Sequence, residues 1–185
     1  MLKGILTPRL VDKYRGIMEE DRNVLVEIKK QISEQIDKVK ALQSQNETEE
    51  AHLLAKEIYD FGYHYYENGK YPEATDFFTV LTDIDSENPK NWIGLAASLQ
   101  MQKDYDEAIL AYSNAAFLDP NNPEIFFHAA NCCFSLDLVS EGIKALDTAE
   151  EIAKNKPNCG AMIQQFTILR EMWSNRVENE ECSII

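Results

Sequence analysis

Residues 89–122 read PKNWIGLAASLQMQKDYDEAILAYSNAAFLDPNN. Set against the rest of the chain at a period of 34, this stretch is found again on both sides. Trp92, Leu95, Ala96, Leu99, Tyr105, Ala108, Tyr112 and Ala115 line up with Ile58, Phe61, Gly62, Tyr65, Tyr71, Ala74, Phe78 and Leu81 in residues 55–88. In residues 123–156 the corresponding places hold Phe126, Ala129, Ala130, Cys133, Gly142, Leu146 and Ala149. Pro89, Pro120, Pro123 and Pro157 punctuate the units. With only 7 Gly and 6 Pro, and no alternating Val/Ile/Thr-rich runs, the chain leans to helix throughout.

The pattern resembles the tetratricopeptide repeat, W-x2-L-G-x2-Y followed by A-x3-F-x2-A and a closing P. The departures are local: Ala96 for Gly, Leu99 for Tyr, Leu81 for a small Ala, Ser86 for Pro, Gly142 for Ala, and a last Pro displaced to Pro157. The physical reading is two antiparallel helices per unit, neither able to bury its apolar face alone. Gly62, Ala96 and Ala130 sit where the helices of a pair come closest, and Ala74 and Ala108 serve close approach in the second helix. Trp92, Tyr65, Phe78 and Tyr112 fill the gaps between pairs.

The expectation is an all-α right-handed superhelix of three repeats (55–88, 89–122 and 123–156, together 55–156). An N-terminal helical arm covers 1–50, a capping helix 157–175 and a flexible tail 176–185. Ile163, Phe166, Ile168, Leu169 and Trp173 give the cap an apolar face for the last repeat. In the arm, Leu25, Ile28, Ile32, Ile36, Val39 and Leu42 form one helical stripe. Such a stripe packs either on the first repeat of its own chain or on a second copy, as a dimer contact.

Composition removes other classes. The 18 Lys plus Arg against 32 Asp plus Glu give a net charge of −14, which repels phosphate backbones and anionic lipid. Neither nucleic-acid nor direct membrane binding is expected. No apolar run reaches the roughly 20 residues that span a bilayer. The first nine residues are too short and too broken by charge for a secretory core, so action in the cytosol is expected. Cys132, Cys133, Cys159 and Cys182 contain no C-x-x-C pair and read as reduced thiols used for packing.

In this repeat class the first helix of each pair lines the concave side, with positions 2, 5, 9, 12 and 13 facing the groove. These are Lys56, Tyr59, Tyr63, Tyr66 and Glu67, then Lys90, Ile93, Ala97, Gln100 and Met101, then Glu124, Phe127, Asn131, Phe134 and Ser135. The core already has Ile58, Phe61 and Tyr65 and does not need Tyr59, Tyr63 and Tyr66, which points to binding or to cover by the arm. A tyrosine offers a large apolar face with a polar tip, which suits pockets for proline and leucine. Repeats that grip a C-terminal carboxylate need Lys and Asn in this groove. The places hold Tyr59, Tyr63, Gly94, Glu124 and His128 instead, so an apolar internal segment is the better ligand.

The block IYDFGYHYYENGKYPEA (58–74), with NPEIFFHAANC (122–132) and EEIAKNKP (150–157), is similar to the class II type III secretion translocator chaperones, the SycD/LcrH-like family of bacterial pathogens. The likeness covers roughly residues 25–175. It implies an acidic cytosolic virulence chaperone, dimeric through its arm at Leu25, Ile28, Ile32, Ile36 and Val39. Its clients would be hydrophobic translocator proteins, each held by an extended P-x-L-x-x-P segment in the groove. The implied client-binding residues are Tyr59, Tyr63, Tyr66, Tyr71, Ile93, Ala97, Gln100, Phe127 and Asn131. Asp137, Leu138 and Val139 depart from the family's glycine-containing turn, and the arm is longer than usual. The alternative function is a general repeat scaffold that assembles folded partners without chaperone activity.

Catalysis finds no footing in the sequence. There is no glycine-rich phosphate loop or nucleophile elbow, and His52, His64 and His128 are scattered. His128 and Cys132 stand four apart on one helix without further ligands, so no metal, cofactor or catalytic residue is expected.

Overall fold

The computed structural model describes residue 30, residues 48–157 and residues 159–182. The arm residues Leu25, Ile28, Ile32, Ile36, Val39 and Leu42, and with them the choice between a dimer contact and packing on the same chain, lie outside the described residues. The described residues form helices α1 (Thr48–Glu67), α2 (Tyr71–Ile84), α3 (Pro89–Met101), α4 (Tyr105–Leu118), α5 (Pro123–Ser135), α6 (Val139–Lys154) and α7 (Gly160–Cys182), with no strand among them. The chain divides into two compact units, Met1–Phe61 and Gly62–Ile185. Of the first unit only residue 30 and the early part of α1 are described. There Ile58 is buried, Tyr59 half-buried and Leu53 exposed.

In the second unit the punctuation recurs at the same 34-residue interval as the apolar pattern. Asn88 and Asn122 cap α3 and α5, their side chains accepting from the backbone N–H of Lys90 and Glu124, with Pro89 and Pro123 in the first turn. The turn inside each pair uses one left-handed residue: Gly69 (φ 71°), Lys103 (φ 66°) and Asp137 (φ 58°). Asp137 thus adopts the conformation a glycine would take, so the turn geometry survives the sequence departure noted there. Asn91, buried, donates to the carbonyls of Leu81 (3.4 Å) and Asp85 (2.9 Å) and ties the end of α2 to the start of α3.

Consecutive helices pack in pairs, α3 on α4 and α5 on α6. The α2–α3, α4–α5 and α6–α7 contacts join them into a tetratricopeptide-like stack. Ala96, Ala108, Ala111, Tyr112, Ala115, Ile125 and Cys132 form one core cluster. Ala130, Phe134, Leu146, Ala149, Ala153 and Phe166 form the next, which α7 closes. Two glycines are notches for rings. A Cβ at Gly94 would run into the ring of Phe78, and one at Gly142 would stand 2.5 Å from Phe134 Cε1. Gly142 therefore replaces the usual alanine because the Phe134 ring needs its space.

The structure differs from expectation at three points. Phe134, at a position expected to face the groove, is 1% exposed and stacked on Trp173 of α7 (4.6 Å between ring centroids). Trp92 is only partly buried, its Nε1 donating to the Ser86 carbonyl at 2.8 Å. The capping helix, expected to end at 175 before a flexible tail, runs to Cys182, since residues 174–182 contain neither Gly nor Pro to stop it.

Candidate functional site

Within the second unit the aromatic residues of successive pairs form a row of two groups in ring contact, with the Tyr66 phenol near that of Tyr112. The first group lies at the end of α1, where Tyr65 and Tyr66 pack differently. Tyr65 is 2% exposed and stacks on Phe77 (5.3 Å). Burial, aided by the charge of Glu73, pushes its phenol up to about 12. Tyr66 is half-buried and meets Tyr71 edge-on at 5.5 Å. Burial raises its phenol, with Tyr71 and Tyr63 adding to the effect. Tyr63 is 48% exposed; its hydroxyl bonds the Glu67 carboxylate, which holds the phenol protonated to higher pH.

The row continues on α4. Tyr112, 1% exposed, has its phenol raised by burial and by its neighbours Cys132 and Tyr66. Its hydroxyl donates to Gln100 Oε1 of α3 at 2.8 Å. Its ring stacks on His128 of α5 (5.9 Å, planes 11° apart). His128 meets Phe127 at 5.5 Å, and Phe127 meets Phe166 of α7 at 5.2 Å. Burial lowers the His128 pKa, against the opposing pull of Glu124, so the imidazole is neutral at pH 7. Ile93 is partly buried against the α3–α4 core, Ala97 is half-buried on the same helix, and Asn131 donates back to the Phe127 carbonyl at 3.0 Å.

Of the residues singled out from the sequence, the structure brings Tyr66 into ring contact with Tyr71, and Gln100 and Phe127 into one group with Tyr112 and His128. Tyr59 belongs to the first unit. The sequence assigns Tyr112 to core packing and Phe166 to the cap, and names His128 only among the places that lack a carboxylate grip; that these three join the groove aromatics is legible only in the tertiary contacts.

Cys132 is buried, its thiol pushed up to about 12 by burial and by Cys133, so it packs as a small apolar group. No group of three metal-ligating side chains occurs among the described residues. No helix among them is long and apolar enough to cross a membrane.

Comparison with known proteins adds to this geometry. A tetratricopeptide-repeat family model matches residues 55–88, and the model of the anaphase-promoting complex, cyclosome, subunit 3, matches residues 85–149. The Low calcium response locus protein H of Yersinia pseudotuberculosis is 29% identical over 131 residues, 67% of this chain and 78% of its own length. The Yersinia enterocolitica type III secretion translocator chaperone SycD, in an alternative dimer, superposes with a TM-score of 0.63 at 28% identity, covering 67% of this chain and 94% of SycD. In sequence and in fold the chain is thus similar to type III secretion translocator chaperones of the tetratricopeptide-repeat type. A further relative of these chaperones, PcrH, is solved in complex with the chaperone binding region of PopD. It has a TM-score of 0.63 and 27% identity, covering 65% of this chain and 91% of PcrH.

Proposed function

We propose that this protein is a cytosolic, non-catalytic chaperone of a bacterial type III secretion system that holds hydrophobic translocators before export. The observation that carries the reading is the two aromatic groups, Tyr66 with Tyr71 and Tyr112 with His128 and Phe127, brought near each other at the Tyr66 and Tyr112 phenols. Rings that are only half-buried at Tyr66 and Phe127 offer apolar faces to an extended client segment, and the hydroxyl tips stay polar. The named complex of PcrH with a client region supports the same use. Masking is steric and hydrophobic: an anchored client segment adds apolar contact, and the client's aggregation-prone parts are kept from associating.

Tyr63, Tyr66, Tyr71, Ile93, Ala97, Gln100, Phe127 and Asn131 form the client face in this proposal. The repeats end at 88, 122 and 156 in this proposal, and the protein forms a homodimer, a state the SycD dimer supports, with the arm as its proposed interface. The test is co-expression with a neighbouring gene's product that carries long hydrophobic segments. The parent protein should keep that product soluble and co-purify with it, while Tyr66→Ala should lose it at unchanged folding. A client equally soluble without the chaperone would overturn the proposal.

A further inference from the structure

The hydrogen bond beneath the aromatic row has a polarity that matters. Tyr112 is buried, and among the described residues its hydroxyl has one hydrogen-bond partner, Gln100 Oε1. With the amide turned the other way, Nε2 would donate to the phenol and the buried phenolic proton would lack an acceptor. The bond therefore sets the amide: Oε1 faces Tyr112, and both N–H groups of Nε2 are left unused among the described residues. Gln100 is half-buried at the row, so these donors stand beside apolar rings. The place of Gln100 in the third pair is taken by Phe134, and the amide one turn earlier there, Asn131, is already engaged, its Nδ2 donating to the Phe127 carbonyl.

A proline-containing extended segment presents the complementary chemistry. Each proline removes a backbone N–H and keeps its carbonyl, so the segment carries surplus acceptors and no internal hydrogen bonds to use them. We propose that Gln100 Nε2 donates to a main-chain carbonyl of the bound client segment, and that Tyr112 is a positioning residue that holds the amide in the donating orientation. The inference rests on the client-face reading and deepens it. The rings supply apolar contact that tolerates shifts along the peptide, whereas one fixed donor among them selects a register.

The test is a double-mutant cycle read by calorimetry, using a capped synthetic peptide with one P-x-L-x-x-P segment and alanine at each x. Tyr112→Phe keeps the ring and its stacking on His128; Gln100→Met keeps the side-chain length and removes the donors. Gln100→Met should weaken binding about 3- to 10-fold, the range of one neutral hydrogen bond. Tyr112→Phe should weaken it by a smaller factor in the parent and by none in the Gln100→Met background. Equal loss from Tyr112→Phe in both backgrounds means a structural role and overturns the positioning claim. Parent-like binding by Gln100→Met, with Tyr66→Ala still defective, overturns the donor while leaving the client face standing. Failure of the parent to bind the peptide overturns both.

Discussion

Phe78 and Phe134 are each 1% exposed and press into glycine notches, whereas Tyr66 and Phe127 lie half-buried and touch mainly other rings. Both sets are aromatic, at helical spacing, in the same stack of pairs. The first set is surrounded by the backbone of a second helix, which leaves no room for another molecule. The second set keeps part of its surface in solvent. The difference separates rings that hold the fold from rings that can hold a client, and hydrophobicity alone does not draw that line.

The strongest way to break the comparison is to remove a notch ring. Phe134→Ala should cost about 3–5 kcal/mol of stability, the usual range for a buried phenylalanine. Filling the notch instead, with Gly142→Ala, should cost about 1–3 kcal/mol, because the Phe134 ring has to leave a packed position against Trp173. Thermal or urea unfolding measures both. If either variant lost peptide binding while still fully folded, the two sets of rings would not be separable.

The reverse test is Tyr66→Ala. Peptide binding should weaken by about 1–3 kcal/mol, as for an aromatic anchor at an interface. Stability should fall by less than Phe134→Ala removes. A melting temperature lowered as far as by Phe134→Ala would put Tyr66 among the core rings.

How far this division was legible before the structure depends on the residue. The helical pairs were readable because small and large residues recur at one interval, and the surplus of tyrosines over core positions in α1 was readable for the same reason. Gly94 and Gly142 were not: a glycine inside a helix reads as a weak point until the ring that occupies its place is seen. Phe134 read as a groove residue because its repeat position faces outward in the other pairs, while here α7 and Trp173 cover it. Gln100 was placed on the client face from its repeat position, but its partner Tyr112 lies 12 residues away on the next helix. The orientation of the amide is a tertiary fact with no sequence signature.

His128 stands between core and proposed client face, stacked on buried Tyr112 and edge-on to Phe127. Its folded pKa lies below the ordinary histidine value, with burial the main cause. The unfolded chain therefore takes up the proton first as pH falls, and stability drops from about pH 7 downward through the unfolded value near 6.5 until the folded pKa is passed. His128→Gln should flatten this part of the stability curve relative to the parent. Carboxylates titrating at lower pH affect both proteins alike, so the difference between the two melting curves is the quantity to read. An identical pH dependence in the two would mean that the ring is not held neutral by its surroundings.

The smallest expected effect supplies the control that the comparison needs. Lys103 sits in the turn between α3 and α4 with φ 66°, its backbone N–H donating to the Gln100 carbonyl at 3.0 Å, and its backbone conformation is the one Gly69 adopts at the matching turn. A side chain there costs about 1–2 kcal/mol of left-handed strain. Glycine removes that strain but gives back about 0.5–1 kcal/mol through the freer unfolded chain. The net for Lys103→Gly is a gain of about 0.5–1 kcal/mol in unfolding free energy, with no contact of the client face altered. Peptide affinity should then stay within error of the parent. Should affinity rise with stability in this variant, part of the binding loss in Tyr66→Ala would have to be assigned to a looser fold rather than to a missing ring. Unchanged affinity lets the Tyr66→Ala loss be read as contact.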